Sequence, residues 1–494
     1  MAFSPEQFLS TLALVGVVII LSALLSGLIE KSGLPQVAVF LGLGAVIGPN
    51  GLNLVNVDLH SPILRVVATL SLVLVLFTDA VSLNLAEVRK QRLLSFLVIG
   101  PGTIVSALLI SLCAWFILGL PPAAALILGA ALASTDPVML RALLGRPGVA
   151  TSVRQALRLE GGMNDAVLLP MVLIAMTFIG KGQPPSASEW THLAINIVIL
   201  SPAAGAIVGL GAVGMLELVR KRIGIRRDYE SIYSLGVAFA AFAAAESVHG
   251  SGFLAAFAAG LTISYLDVEL CDCFLEYGET TAEMALMFTF VLFGMSMIWT
   301  GLTIIGAGTL LFVVAVLAAR PAAFIPALLP VHLSWKNRFL IAWFGPRGLS
   351  SLLLILLPLF AGVPGSEKLL TICCLVVLCS VVLHGLSPGF LVKPPPATPS
   401  PIPAETQAPV TIAPAKPLAP SPAPGSPEYI SITELKALQA SSTPAIVVDA
   451  RTERTYSSSE DWIPGSVRVN PEQSVRSASE LQLPKTATLA VLCA

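Results

Sequence analysis

The sequence is poor in charged residues. Asp, Glu, Lys and Arg make up 12% of its 494 residues, whereas a soluble globular domain has about 25%. Hydrophobic residues account for 55%, and the mean hydropathy is +0.86. These values exclude a soluble globular protein and predict a polytopic membrane protein. The net charge of −1 provides no basic field for a polyanion, so nucleic-acid binding is excluded too.

Paired metal-ligand motifs are also missing. The seven cysteines include no C-x-x-C spacing, and Cys271 and Cys273 have no histidine nearby. We therefore predict no transition-metal site and no cofactor. The segment "MAFSPEQFLS" has no Lys or Arg before the first apolar run, which argues against a cleaved secretory signal. The first apolar run is expected to remain as a helix.

Long apolar runs are what the sequence has instead. A helix needs about 20 residues to cross ~30 Å of hydrocarbon, and fewer where it is broken or shielded by neighbours. The sequence predicts an all-α membrane domain with about thirteen spans. Several of the apolar runs are short, so a count of twelve is the alternative. Their approximate bounds are 8–29, 37–48, 63–85, 93–118, 121–144, 152–178, 191–219, 231–248, 252–267, 282–298, 302–330, 338–361 and 367–391.

Lys and Arg are distributed unevenly between the loops. Fourteen lie in the alternate loops that start with Lys31, and three, Arg65, Lys181 and Lys368, lie in the others. The positive-inside rule then predicts a cell-membrane protein with its N-terminus outside and its C-terminus in the cytoplasm. One predicted inner loop, 267–283, is acidic. We interpret it as a solvated linker between two halves, and the alternative is a funnel that concentrates cations.

The composition changes after Lys393. Residues 394–427 contain 13 prolines in 34 positions, which is typical of an extended, semi-rigid tether. Farther on, "AIVVDA" and "IPGS" indicate a strand and a turn of a small α/β fragment. The sequence therefore predicts a transmembrane domain over 1–392, a Pro/Ala-rich linker over 393–427 and a small domain over 428–494.

Five of the charged residues inside predicted spans are singled out here, because a charge at the bilayer centre costs at least ~2.5–3.5 kcal/mol on insertion scales. Such residues are functional candidates by default. They are Asp79, Asp136, Glu160, Asp165 and Arg347. Asp165 shares a helix face with Gly161, whose missing side chain leaves room for an ion or for a second helix. Arg158 is interpreted as snorkelling to the surface, and Arg320, which precedes Pro321, only as a mark of an interrupted or tilted helix.

Two predicted helices are interrupted. In "STDPV", Pro137 lacks a backbone donor, and the polar residues 134–136 compete with the backbone for partners. The segment "FGPRGL" has the same character about 210 residues later. Broken helices in corresponding positions of two halves indicate a secondary transporter with a site at mid-membrane. Freed carbonyls near Thr135 suit a hard cation; for either break alone, a proline kink satisfied by Ser and Thr is the alternative.

These motifs together carry a family resemblance. "ASTDPV", then 24 positions from Asp136 to Glu160, then "EGGMND", and finally "GPRG", resemble the sodium/proton exchangers of the NhaP-like branch of cation:proton antiporters. The resemblance covers residues 8–391. It implies thirteen helices in two inverted six-helix repeats with broken crossing helices, a homodimer, and an elevator-like motion of a core domain against a dimerisation domain.

The resemblance also implies roles for individual residues. Asp165 would bind cation and proton alternately, and Asn164 would be its partner. Thr135 and Asp136 would belong to the broken-helix part of the site, and Asp79 would match an acidic third-helix position near the ion.

Two further positions complete the implied site. Glu160 and Arg347 would form a buried ion pair that holds two helices together. Gly161 departs from the pattern, because relatives often have Ser there, so one hydroxyl ligand is missing and the choice between Na⁺, Li⁺ and K⁺ stays open.

The chemistry of a buried carboxylate agrees with this assignment. Desolvation favours its protonated form and a nearby cation favours its ionised form, so Asp165 can hold either a proton or a monovalent cation, with Na⁺ the first expectation. Asn164 cannot titrate. One carboxylate that trades one proton for one monovalent cation moves no net charge, which predicts electroneutral exchange. A K⁺/H⁺ antiporter regulated by the tail, and a channel or sensor with the same ion site, are the alternatives within the membrane.

The tail resembles a rhodanese-like domain through "IVVDAR", "WIPGS" and "LAVLC". The resemblance implies that Cys493 holds the position of a persulfide-carrying cysteine. Since only Ala494 follows Cys493, we expect the loop that would activate this thiol to be missing and the tail to be a truncated or inert regulatory module. A membrane-anchored sulfurtransferase, which needs a single anchoring helix, is the alternative from another class, and it does not explain thirteen spans with buried acids.

Overall fold

The chain is represented by a computed structural model. It describes residues 36–49, 51–53, 61–83, 85–144, 149–181, 186–223, 227–266, 272–391, 445–450, 466–469 and 489–492, with single positions elsewhere. Two compact units divide after Ser400, within the predicted linker. The domain boundaries themselves stay a prediction.

The described part of the first unit is helical. Its α-helices are α1 (Gln36–Ile47), α2 (Pro62–Val81), α3 (Leu85–Lys90), α4 (Arg92–Leu97), α5 (Thr103–Leu118), α6 (Pro122–Ala133), α7 (Pro137–Leu144), α8 (Thr151–Lys181), α9 (Ala187–Ala194), α10 (Ser201–Arg222), α11 (Arg227–Ser247), α12 (Gly252–Tyr265), α13 (Asp272–Leu292), α14 (Ala307–Ala327), α15 (Trp335–Trp343), α16 (Leu349–Phe360) and α17 (Ser366–Leu391). Short π-helical turns, Val98–Gly102 and Ile195–Leu200, join α4 to α5 and α9 to α10. A third π-helical turn, Phe293–Met297, and a 3₁₀ segment, Ile298–Ile304, follow α13.

Six helical spans in the described ranges are long and apolar enough to cross a membrane, and a seventh passes if the bent pair Met284–Met295 and Ile298–Ile304 is one span. Five shorter apolar helices accompany them, including Pro122–Ala133 and Leu349–Phe360 beside the two predicted breaks. The prediction of a polytopic helical membrane protein is confirmed. The count of thirteen stays a prediction, because broken helices are shorter than a full span and most of residues 8–29 lie outside the described part.

Helix α2 lies at the centre of the hydrophobic core. Its residues 71–78 are all buried, and it packs against α12, α13 and α16. Helix α10, by contrast, exposes large apolar side chains such as Ile207 and Met215. In a multi-pass membrane protein such side chains are not a defect, since lipid is as apolar as they are.

Glycines set the closest helix crossings. A Cβ added at Gly205 on α10 would lie 2.0 Å from the backbone oxygen of Ala255 on α12. The two backbones are therefore in contact with no side chain between them, which is the packing that small residues allow between membrane helices. Gly211 on the same helix has nothing within 4 Å of its Cβ position.

The second unit contains a three-stranded parallel sheet in the order β2–β1–β3, with β1 Ile446–Asp449, β2 Val467–Arg468 and β3 Leu489–Leu492. Val448 lies opposite Val467, and Asp449 lies opposite Leu492. The predicted "AIVVDA" strand is β1. The rhodanese-like assignment stays a prediction, and Cys493 lies outside the described residues.

The contrast between the two glycines gives a stability prediction. We expect Gly205→Ala to lower the free energy of unfolding by ~1–3 kcal/mol, because α10 and α12 must separate to admit the methyl group. Gly211→Ala is the matched control, and it should leave stability unchanged or raise it slightly, since Ala is the better helix former. Thermal unfolding of both variants in detergent measures this. Equal melting temperatures for both variants would contradict the packing described above.

Candidate functional site

The first predicted interruption lies between α6 and α7. Helix α6 ends at Ala133, Ser134 is extended with φ −61° and ψ 138°, and α7 begins at Pro137. Proline suits the first position of a helix, where its missing N–H has no intrahelical partner anyway. Ser134, Thr135 and Asp136 are all buried, so this broken segment presents polar groups inside the apolar core.

The second interruption, residues 344–348, crosses the first. The backbone N–H of Asp136 donates to the carbonyl of Pro346 (3.0 Å), and the N–H of Leu349, the first residue of α16, donates to Asp136 Oδ2 (2.8 Å). A carboxylate is stabilised at a helix N-terminus, where N–H groups are unsatisfied and the helix dipole is positive. Gly348 permits this approach, because a Cβ there would lie 2.0 Å from Asp136 Oδ2. The structure therefore has both interruptions that the sequence predicts.

Asp165 lies on α8 and faces the first broken segment. Its side chain is 5% exposed, and its Oδ1 accepts a hydrogen bond from Ser134 Oγ at 2.6 Å. Within the described part of the chain, no Lys or Arg forms an ion pair with it. A buried carboxylate with only a neutral donor is costly when ionised, so this group needs a proton or a cation beside it.

Asn164 lies next to Asp165 and bonds to the same broken segment. Its Nδ2 donates to Thr135 Oγ1 at 2.8 Å and approaches the Thr135 carbonyl at 3.5 Å. Its Oδ1 is buried and has no hydrogen-bond partner among the described residues. A buried amide oxygen without a partner is rare, and here it is an available acceptor one residue from Asp165.

A cavity of about 760 Å³ lies beside the same region. Its lining includes Asp79 of α2, Pro137 of α7 and Gly162 of α8. A Cβ at Gly162 would lie 3.9 Å from the Asp79 Cβ, so the half-buried Asp79 faces α8 less than one helical turn from Asp165. Gly161 packs on Pro137, with its Cβ position 3.5 Å from the Pro137 Cβ.

The ion pair of Glu160 differs from the predicted one. Arg320 of α14, not Arg347, holds this carboxylate: its Nη1 contacts Glu160 Oε1, and its Nη2 lies 2.7 Å from Oε2. The same guanidinium donates to the Ile341 carbonyl (2.9 Å) and lies over the Phe324 ring. The predicted Glu160–Arg347 pair is therefore wrong. Arg320 is itself a charge within a predicted span, but the neighbouring Pro321 favours its interpretation as the mark of an interrupted helix.

Arg347 has a different environment. Its Nη1 donates to the Gly345 carbonyl (2.9 Å), and its backbone N–H donates to Ser380 Oγ on α17 (2.7 Å). Ser380 Oγ in turn lies 3.0 Å from His384 Nδ1. These contacts hold the second broken segment against α17. Sequence reasoning missed Ser380 and His384, because polar residues near the end of a long apolar helix carry no distinguishing pattern.

One prediction falls outside the described part of the chain. The side chains of the acidic residues near 267–283 are not described, so the interpretation of this loop as a linker or as a funnel stays open.

Arg158, which the sequence predicts to snorkel to the surface, is exposed and lines the cavity.

Comparison with known proteins agrees with this fold. Residues 17–393 match the family described as "Sodium/hydrogen exchanger, transmembrane". The K(+)/H(+) antiporter NhaP of Alkalimonas amylolytica is 26% identical over 387 residues, which cover 76% of this chain and 65% of the relative. The Na(+)/H(+) antiporter NhaG of Bacillus atrophaeus is 24% identical over 396 residues, or 75% of this chain and 72% of the relative.

The solved structure of the sodium proton antiporter MjNhaP1 from Methanocaldococcus jannaschii matches with a TM-score of 0.66 and 20% identity, over 78% of this chain and 98% of that one. The family match covers about three quarters of the sequence, so the chain belongs to the sodium/hydrogen exchanger family and the predicted family is confirmed. The chain spans just under two thirds of the length of the Alkalimonas relative.

The ion pair gives a second prediction. Arg320→Met should leave Glu160 buried without its partner, which costs ~3–5 kcal/mol, and should sharply reduce the yield and the melting temperature of the purified protein. Glu160→Gln combined with Arg320→Met should recover much of the loss, since no unpaired charge remains. Arg347→Met is the matched control with a smaller expected effect, because Glu160 keeps Arg320. A larger loss in Arg347→Met than in Arg320→Met would contradict the pairing.

Proposed function

We propose that this protein exchanges a monovalent cation for H⁺ across the membrane, and that Asp165 binds the two in turn. The observation that carries the proposal is a buried carboxylate whose one described hydrogen-bond donor is a neutral hydroxyl. Desolvation favours the protonated form of the carboxyl group, and a cation favours its ionised form. A bound proton therefore excludes the cation, and a bound cation excludes the proton. This exclusion couples the two fluxes.

The atoms around Asp165 suit an alkali cation. Its carboxylate, the Thr135 carbonyl and the Asn164 Oδ1, which has no partner among the described residues, are hard oxygen donors. Alkali cations prefer such donors to nitrogen or sulfur. Asp136 contributes differently, since its Oδ2 is already held by the Leu349 N–H. We propose that it fixes the crossing of the broken helices and so the position of the site.

Access is proposed to run through the cavity that Asp79 lines. Asp79 is a half-buried acid in its wall, and an acid there raises the local cation concentration near Asp165. With the predicted orientation, the cavity opens to the cytoplasm. A homodimer and an elevator-like motion of the site-bearing helices are further parts of the proposal.

Na⁺ is the proposed substrate, and K⁺ is the alternative, because the relatives include antiporters named for each ion. Gly161 bears on the choice: it places no hydroxyl beside Asp165, which reduces the number of ligands that α8 itself provides. The comparison of Li⁺, Na⁺ and K⁺ in one vesicle preparation decides between them.

The first functional prediction concerns Asp165. In everted vesicles, addition of Na⁺ or K⁺ should collapse a preformed pH gradient, and Asp165→Asn should abolish the collapse, because an amide neither binds a proton nor balances a cation. Glu217→Gln is the control: this exposed residue pairs with Lys221 on the surface of α10, and its variant should keep the parent rate.

Two outcomes would contradict the exchange proposal. Asp165→Asn vesicles that exchange at the parent rate would remove Asp165 from the mechanism. Cation flux without any accompanying change of internal pH would instead indicate a channel.

The second functional prediction concerns voltage. One titrating carboxylate exchanges one proton for one monovalent cation, so no net charge crosses the membrane per cycle. If one uncompensated charge did cross, the membrane potential would contribute ~2.3 kcal/mol per 100 mV to each cycle. In proteoliposomes without a pH gradient, an imposed membrane potential of either sign should drive no cation uptake. Uptake that follows the sign of the potential would show that more than one carboxylate takes part.

A further inference from the structure

Ser134 places a hydroxyl beside Asp165, and Gly161 does not. Gly161, on the face of α8 that carries Asp165, has no side chain, and the Ser134 hydroxyl reaches the same carboxylate from the broken segment at 2.6 Å. We propose that Ser134 supplies the side-chain hydroxyl of the cation site, as a ligand to the ion and as a donor to Asp165 when the ion has left. This inference rests on the proposed function of Asp165.

The break in the helix makes this hydroxyl available. Several hydroxyls within intact helices of the first unit donate to the carbonyl four residues earlier in the same helix, as Ser111 does to Ala107 and Thr262 to Ala258. Ser134 follows the last residue of α6 and has an extended backbone. Its hydroxyl therefore points away from its own helix and reaches Asp165 on α8.

The main chain of Ser134 is held as well. Its carbonyl accepts a hydrogen bond from Ser351 Oγ of α16 at 3.2 Å, and the residue is fully buried. Ser134 is therefore held by its side chain to α8 and by its main chain to α16. Ser134 thus links the carboxylate to the crossing of both broken segments.

A hydroxyl suits a site that alternates between a proton and a metal ion. It carries one rotatable donor and two acceptor lone pairs. It donates to Asp165 when the carboxylate is ionised and empty. When a cation lies between them, the O–H turns away and a lone pair faces the ion. When Asp165 is protonated, the same oxygen accepts its hydrogen bond.

Gly161 offers a way to return the hydroxyl from another direction. A Cβ there would lie 3.5 Å from the Pro137 Cβ and 3.7 Å from Leu140 Cδ1, which are ordinary contact distances. The Cβ of a residue at 161 therefore fits without displacing α7. If the site needs the hydroxyl group of Ser134 and not its packing, a hydroxyl introduced by Gly161→Ser should compensate for the loss of the Ser134 hydroxyl.

The test is Ser134→Ala in the full chain. We expect the apparent KM for the cation to rise roughly tenfold, which corresponds to about 1.4 kcal/mol, with a smaller change in maximal rate. The pH–activity profile should move to more alkaline values, because Asp165 without this donor gives up its proton less readily. Ser134→Ala with Gly161→Ser should recover most of the KM and of the pH profile.

Ser106→Ala is the matched control. Ser106 is, like Ser134, a buried serine, but it lies within helix α5. Because its Oγ has no partner among the described residues, Ser106→Ala should keep the parent KM. Binding is measured separately in detergent, as the rise in melting temperature that Na⁺, K⁺ or Li⁺ produces. This rise should be smaller in Ser134→Ala than in the parent and should return in the double variant.

Three outcomes would overturn the inference. The first is a KM, pH profile and cation-induced stabilisation in Ser134→Ala that equal those of Ser106→Ala. The second is a loss that Gly161→Ser does not repair, including a failure to fold, since this would assign Ser134 to packing alone. The third is equal stabilisation of parent and variant by the ions. If the parent protein binds the ions but does not exchange them for protons, the proposed function is refuted. The cation-induced stabilisation of the parent and of Ser134→Ala can still be compared in that case.

Discussion

The need to neutralise charge inside an apolar interior organises the membrane unit. Three buried acids of this unit have their charge balanced in three different ways. Glu160 has the guanidinium of Arg320, and Asp136 accepts the backbone N–H that begins α16. Among the described residues, Asp165 has the hydroxyl of Ser134 as its one hydrogen-bond donor. Because the first two are compensated by fixed protein groups, the third is the one whose charge depends on what enters from solution. Structure and proposed transport therefore share one physical cause.

The crossing of two broken helices makes this arrangement possible. An intact helix uses its carbonyls and N–H groups within itself, whereas an interrupted one offers them to other partners. Here the groups freed at residues 134–136 and 344–348 bond to each other, as between Asp136 and Pro346. Gly348 brings the segments into contact, and Ser380 of α17 holds the second one. The result is a hydrogen-bonded polar centre to which α8 adds Asn164 and Asp165.

The sequence predicted much of this centre because its signals are local. Prolines and adjacent polar residues marked both interruptions, and the cost of charge in lipid marked Asp79, Asp136, Glu160 and Asp165. The partner of Glu160 was predicted wrongly for a reason that is equally physical. Which arginine meets a carboxylate 160 or more positions away depends on how α14 and the second broken segment are rotated and packed against α8, and no spacing along the chain records that rotation.

The sequence by itself determined that this is a multi-pass helical membrane protein, where its helices break, and which acids lie among its apolar segments. Those properties follow from apolar length, backbone chemistry and the energetic cost of a charge, all of which act on a few neighbouring residues. Only the tertiary structure decided that Arg320 neutralises Glu160, that Asp136 caps α16, and that Ser134 reaches Asp165. Each of these contacts joins residues from different helices over a few ångströms, and such contacts exist only after the helices have packed.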